Sequence, residues 1–114
     1  MTVIQNTTTG AVIADRATSA TNAWTRFRGL MLHGRLEQGE ALIIRPCSSI
    51  HMMFMRFPID AVFFDKEERV TKVAHNVRPW WGLAFGGRGA KCVIELPRDA
   101  GNGIEPGHQL LFRD

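Results

Sequence analysis

Apolar and polar positions alternate along most of this chain, and the period is that of a strand rather than a helix. Residues 1–8 and 11–18 read as two strands around a turn at Thr9-Gly10. Further strands are expected over 40–45, 50–55, 60–64, 70–77, 90–96 and 109–112. Pro46 ends the first of these. Phe57-Pro58 ends the second, because a residue before proline is pushed to extended geometry. Asp65-Lys66-Glu67-Glu68 makes a polar turn into 70–77. Several of the runs are apolar throughout, which fits strands buried on both faces.

One segment follows a different period. Trp24, Phe27, Leu30 and Met31 fall at helical spacing, Thr21 or Asn22 can cap the start, and Gly34 supplies a stop. A single helix is therefore expected over 21–34. Residues 78–89 contain Pro79, Gly82, Gly86, Gly87 and Gly89 and read as a long loop. Residues 97–107 hold turn residues, with room for one helical turn. The predicted fold is mainly β (α+β by count of elements). It is a compact antiparallel β-sandwich or barrel with one α-helix covering an opening.

The 114 residues make one domain, 1–114, and 45% hydrophobic content supplies a core without help from a metal or disulfide. Cys47 and Cys92 sit in separate apolar runs and form no C-x-x-C pair, so both read as small core residues. The net charge is +3, and eleven of the fourteen basic residues are arginine, spread from Arg16 to Arg113. A nucleic-acid footprint would gather on one element, so this spread argues against nucleic acid as a partner. The N-terminal residues lack the basic start and apolar stretch of a signal peptide, and no window approaches a membrane span. A cytoplasmic location is expected.

Candidate chemistry lies where polar residues interrupt apolar strands, because buried polar groups need partners. On period two His51 shares a face with Met53 and Met55. That face is either a soft-metal surface or a core histidine bonded to a backbone carbonyl. No second histidine or cysteine stands at ligand spacing, so no metal is expected. Asp60 opens an apolar strand, where a carboxylate can serve a local turn, pair with arginine, or act in catalysis. Glu95, inside Cys92-Val93-Ile94-Glu95-Leu96, is either a paired network carboxylate or a general acid–base group. Arg28, four residues after Trp24, is either solvated or paired with a carboxylate. Arg78-Pro79-Trp80-Trp81 puts two indoles beside the glycine-rich loop, and an exposed one would be a stacking platform. Gly86-Gly87-Arg88-Gly89 lacks both phosphate-loop patterns. No nucleophile elbow, H-E-x-x-H, EF-hand or zinc-ribbon spacing is present.

Three blocks carry a family resemblance. They are Arg26-Phe27-Arg28-Gly29-Leu30-Met31 with Arg35, the run from Ile50 to Asp65, and Val93-Ile94-Glu95-Leu96-Pro97 followed by Gly103-Ile104-Glu105-Pro106-Gly107. With them the chain resembles domain-of-unknown-function family 192 over nearly its full length. The resemblance implies a compact, jelly-roll-like β fold with a helix on the sheet, and it assigns no catalytic residue. Many relatives carry an export signal or lipoprotein leader, which is not expected here. The chain departs from the family pattern in three places. Glu67-Glu68 replaces a turn that usually holds glycine, the segment between Pro97 and Gly101 is longer, and His108 stands where aspartate is common.

Together these features predict a non-enzymatic binding module for a small polar or sugar-like ligand. Arg28, His51, Asp60, Arg78, Trp80 and Glu95 would line or support one polar-aromatic cleft, with Trp80 stacking and Arg78 supplying charge. One alternative is a small hydrolase-like enzyme using His51 and Glu95. Another is a protein–protein interaction domain that binds through an edge strand or the tryptophan loop. No cofactor is expected, and the partner is an unidentified small molecule or protein.

Overall fold

The computed structural model describes residues 2–20, 36–45, 49–51, 57–78 and 82–114. Nine strands lie in these segments: β1 (Thr2–Asn6), β2 (Val12–Ala20), β3 (Glu40–Ile44), β4 (Ser49–His51), β5 (Ile59–Phe64), β6 (Val70–Val77), β7 (Leu83–Phe85), β8 (Cys92–Pro97) and β9 (Leu110–Arg113). Seven form one sheet in the order β6-β5-β8-β3-β2-β1-β9, and β4 pairs with β7 in a small second sheet. Every pairing is antiparallel except β2 with β3.

The central strands explain the unbroken apolar runs. Every residue of β5 is buried, and so is every residue of β8 after Cys92. Both strands are covered on both faces, and side chains alternate between them. Val62, Phe64, Ile94 and Leu96 join Ile4, Ile43 and Leu110 in the larger cluster, inside the curl of the sheet. Ile59, Ala61, Phe63 and Val93 join Ile44, Val77 and Ala84 in a second cluster outside it. Ala84 belongs to β7, so the small sheet roofs this outer face. Gly86 fits the same layer because a Cβ there would stand 2.6 Å from the Phe63 ring. Alanines at the inner positions 14, 17 and 41 leave room for the curl beside the larger side chains.

The sheet curls far enough for its outer strands to meet at one end. Arg69 and Gln109 form an isolated antiparallel bridge. Val70 N–H donates to His108 O at 2.9 Å, and Gly107 N–H donates to Val70 O at 2.8 Å. The Gln109 side chain adds bonds to the carbonyls of Glu67 and Glu68. Arg45 caps this end, with its guanidinium 4.8 Å from the Phe112 ring centroid and 5.5 Å from that of Phe64. The result is a curled half-barrel.

The mainly β, mainly antiparallel expectation holds, and strand 70–77 has the predicted bounds. The predicted long loop over 78–89 needs correction, because it contains β7. Leu83, Ala84 and Phe85 alternate out, in and out between glycines, and three residues suffice for a strand when a partner lies alongside. Residues 98–104 form successive turns and no helix. The jelly-roll-like arrangement is not seen among the described residues, and the helix expected over 21–34 falls outside them.

Candidate functional site

Polar groups concentrate at the end of the sheet opposite the bridge, around Asp60. Its pairing with Leu96 turns its side chain to the inner face, where it is fully buried. Oδ1 accepts the Asn76 N–H at 2.8 Å, and Oδ2 accepts the Gly101 N–H at 2.9 Å. The expected local turn role therefore becomes a long-range one. A single carboxylate ties β5 to β6 and to the loop after β8.

Two irregularities are built around these bonds. Ile59 pairs with Val77 and Ala61 with Ala74, so β6 carries one more residue than β5 over the same span. The extra residue makes a bulge at His75-Asn76, opposite Asp60, and Asn76 takes a left-handed φ of 51°. Gly101 approaches so closely that a Cβ would lie 2.9 Å from Oδ2. Only glycine permits that contact without displacing the carboxylate.

The bulge also turns His75 toward Asp60. Nδ1 lies 3.6 Å from Oδ2, while half of the imidazole side chain stays exposed. With Nδ1 beside Asp60, Nε2 is the ring nitrogen left for a further hydrogen bond. Arg78 and Arg98 extend the polar rim. Each is exposed and follows a strand whose last residue pairs with Ile59, so their backbones are about 10 Å apart at two strand spacings. Arg98 lies 4.0 Å from Asp99, which has a left-handed φ of 73°. Non-glycine residues held at positive φ store strain, and two such residues flank this rim.

Asp60 and Glu95, two of the six sequence candidates, lie on opposite faces of the sheet. Asp60 is on the inner face of the sheet. Glu95 pairs with Leu42 and Ala61 and is buried on the outer face. Period two dictates this separation, since Asp60 faces Leu96 and Glu95 is the residue before it. Arg78 stands at the rim near Asp60. Arg28 and Trp80 lie outside the described residues. Of His51 only the backbone is described, paired with Leu83. His75 is not among the residues that the sequence singles out. Its signal was the adjoining polar pair His75-Asn76, which breaks the alternation of an otherwise regular strand.

A shallow hollow of about 280 Å³ lies on the other side of the 99–104 loop, lined by the β1–β2 turn and by Ala100, Asn102, Gly103 and Ile104. Its one buried polar side chain, Asn6, is already engaged. Asn6 Oδ1 accepts the Thr8 and Thr9 amides, and its Nδ2 stands 3.0 Å from His108 Nδ1. The Glu105 N–H also reaches Nδ1, so that nitrogen is an acceptor and the His108 proton sits on Nε2. This corner is structural. Among the described residues no group of three or more His, Cys, Asp or Glu side chains is placed to hold a metal. No helix there is long and apolar enough to cross a membrane.

The model of family DUF192 (Uncharacterized ACR, COG1430) matches residues 4–112. The chain belongs to this family. A UPF0127 protein of Thermococcus sibiricus is 38% identical over 96 residues, covering 81% of this chain and 61% of its own length. This DUF192 chain thus spans less than two thirds of that relative. Its fold is similar to a crystal structure of a protein of unknown function from Novosphingobium aromaticivorans. The TM-score is 0.79 at 23% identity, over 96% of this chain and 82% of that one. It is also similar to a putative transcription regulator from Sinorhizobium meliloti. There the TM-score is 0.78 at 18% identity, over 97% and 91%. At these identities the likeness is one of fold. The departure noted at Glu67-Glu68 has a structural counterpart, since Glu68 holds a φ of 65°, a conformation in which glycine is unstrained.

Proposed function

We propose that this DUF192 domain is a non-enzymatic binding module that takes a small polar ligand, sugar-like or anionic, at the Asp60 rim. One observation carries the reading. A buried carboxylate, immobilised by two backbone amides, stands behind a half-exposed imidazole. Asp60 is committed to the scaffold, so it orients His75 and leaves contact with the ligand to the rim. His75 Nε2 then hydrogen-bonds a polar group of the ligand. Arg78 adds charge and a planar hydrogen-bonding fork. Trp80, two residues further along the chain, enters the reading from sequence as the stacking surface.

The test is a thermal-shift and calorimetric screen against neutral hexoses, hexuronic acids and sugar phosphates. A ligand at 100 times its Kd adds about 2.7 kcal/mol, a shift of several degrees in a domain of this size. His75→Ala and Arg78→Ala should abolish the shift while leaving the unliganded midpoint in place. A hit that survives both substitutions would place binding elsewhere. The hydrolase-like alternative has less support, because Glu95 is fully buried on the outer face.

A further inference from the structure

A second surface lies on the outer layer, away from Asp60. Residues 69–94 contain five of the fourteen basic residues and none of the eleven acidic ones. Where arginines elsewhere meet carboxylates, as Arg16, Arg45 and Arg98 do, the exposed Lys72, Arg88 and Lys91 form no salt bridge with any described residue. The fold gathers these three around one end of β7. Thr71 Oγ1 donates to Gly86 O at 3.0 Å, which brings Lys72 beside the turn carrying Arg88. Lys91 N–H donates to Phe64 O at 3.0 Å and holds the far side of that turn on β5. Asp65, the acid nearest Lys91 in register, has its Oδ1 engaged by the Glu67 and Arg69 amides.

Beside these cations are two large apolar side chains in solvent, Leu83 at 65% exposure and Phe85 at 59%. They occupy alternate positions on one face of β7, with Ala84 pointing into the core between them. Among the described residues β7 pairs with β4 alone, and no other described strand lies along its second edge. Alternating apolar contacts, an edge with no described strand along it and unneutralised cations suit an extended peptide that adds as a strand. A nucleic acid would use the cations and the Phe85 ring but would gain little from Leu83 or from a strand edge.

We propose that β7, with Lys72, Arg88 and Lys91 around one end of it, is a docking surface for a polypeptide segment in which acidic and apolar residues alternate, bound as a third strand beside β7. Its apolar side chains cover Leu83 and Phe85, and its carboxylates meet Lys72, Arg88 and Lys91. The surface is separate from the Asp60 rim, so it stands whether or not a small ligand binds there.

The experiment is fluorescence anisotropy with three labelled probes: a dodecapeptide alternating glutamate with phenylalanine or leucine, a glutamate homopolymer of equal length, and single-stranded oligothymidylate. The alternating peptide should bind saturably, and the homopolymer at least about tenfold more weakly, because it lacks the apolar anchors. Phe85→Ser, Leu83→Ser and the double change Arg88→Glu, Lys91→Glu should each weaken the peptide by about tenfold at an unchanged thermal midpoint. With the unsubstituted domain, peptide binding should shift the amide resonances of Leu83 and Phe85 most and slow their hydrogen exchange. Absence of saturable peptide binding would overturn the proposal. So would homopolymer or oligothymidylate binding as tight as the peptide's, which would make the surface a general polyanion site.

Discussion

Replacing Asp60 by alanine is the sharpest test of how this end of the sheet is held. The substitution removes two acceptors at once, from the Asn76 amide at 2.8 Å and the Gly101 amide at 2.9 Å. A hydrogen bond to a charged group contributes about 1.5–3 kcal/mol, and a buried donor left unpaired costs about 1–3 kcal/mol. The Asn76 bond is partly buried and belongs at the lower end of this range, while the Gly101 bond is buried and belongs at the upper. Relief of the carboxylate's own desolvation offsets part of the loss. The expected cost for Asp60→Ala is about 3–5 kcal/mol, a large share of the roughly 5–15 kcal/mol typical of a whole domain. Asp60→Asn keeps one acceptor and should cost about half as much. The assay is urea unfolding. With a slope of about 2 kcal/mol per molar, the alanine midpoint should fall by about 2 M at unchanged slope. Hydrogen exchange should speed up most at the amides of Asn76 and Gly101. An alanine variant within about 0.5 kcal/mol of the parent, the scatter of ordinary surface substitutions, would refute the clamp.

Other consequences follow from the packing. Gly86→Ala would bring a Cβ within 2.5 Å of the Ala90 Cβ and 2.6 Å of the Phe63 ring. It should cost about 1–3 kcal/mol, read as a lower thermal midpoint. Arg45→Ala strips a guanidinium from over the Phe64 and Phe112 rings and should cost about 1–2 kcal/mol in the same assay. Burial pushes the Cys92 thiol above its ordinary 9.0, with Arg45 opposing the rise. The unfolded thiol therefore ionises first. The contribution to stability is complete below pH 9.0 and is lost as pH climbs through the higher folded value. Unfolding curves from pH 8 upward should show that decline in the parent and less of it in Cys92→Ala. The chain has no tyrosine to confuse the titration.

Strand periodicity was readable because burial on one or both faces writes itself directly into the order of apolar residues. The buried runs at 59–64 and 92–97 marked the centre of the sheet for that reason. Features that depend on distant partners left weaker traces. β7 was hidden because glycines on either side of a three-residue strand look like loop. The parallel pairing of β2 with β3 joins segments that turn chemistry cannot connect. Asp60 suggested a local turn, yet its partners lie 16 and 41 residues away. His75 reads as an ordinary polar residue of a half-exposed strand until the bulge brings it to Asp60. The acid-free segment was written in the sequence throughout. It gains meaning once the fold sets Lys72, Arg88 and Lys91 around exposed Leu83 and Phe85.

The central claim is that Asp60 is scaffold and His75 with Arg78 is contact. The most direct measurement is an amide NMR titration of the domain with hexuronic acids and sugar phosphates, repeated with His75→Ala. The account predicts saturable shifts centred on His75, Asn76, Arg78 and Gly101, lost in the variant while the rest of the spectrum is retained. Shifts centred elsewhere, or none at millimolar concentrations of every probe, would contradict it.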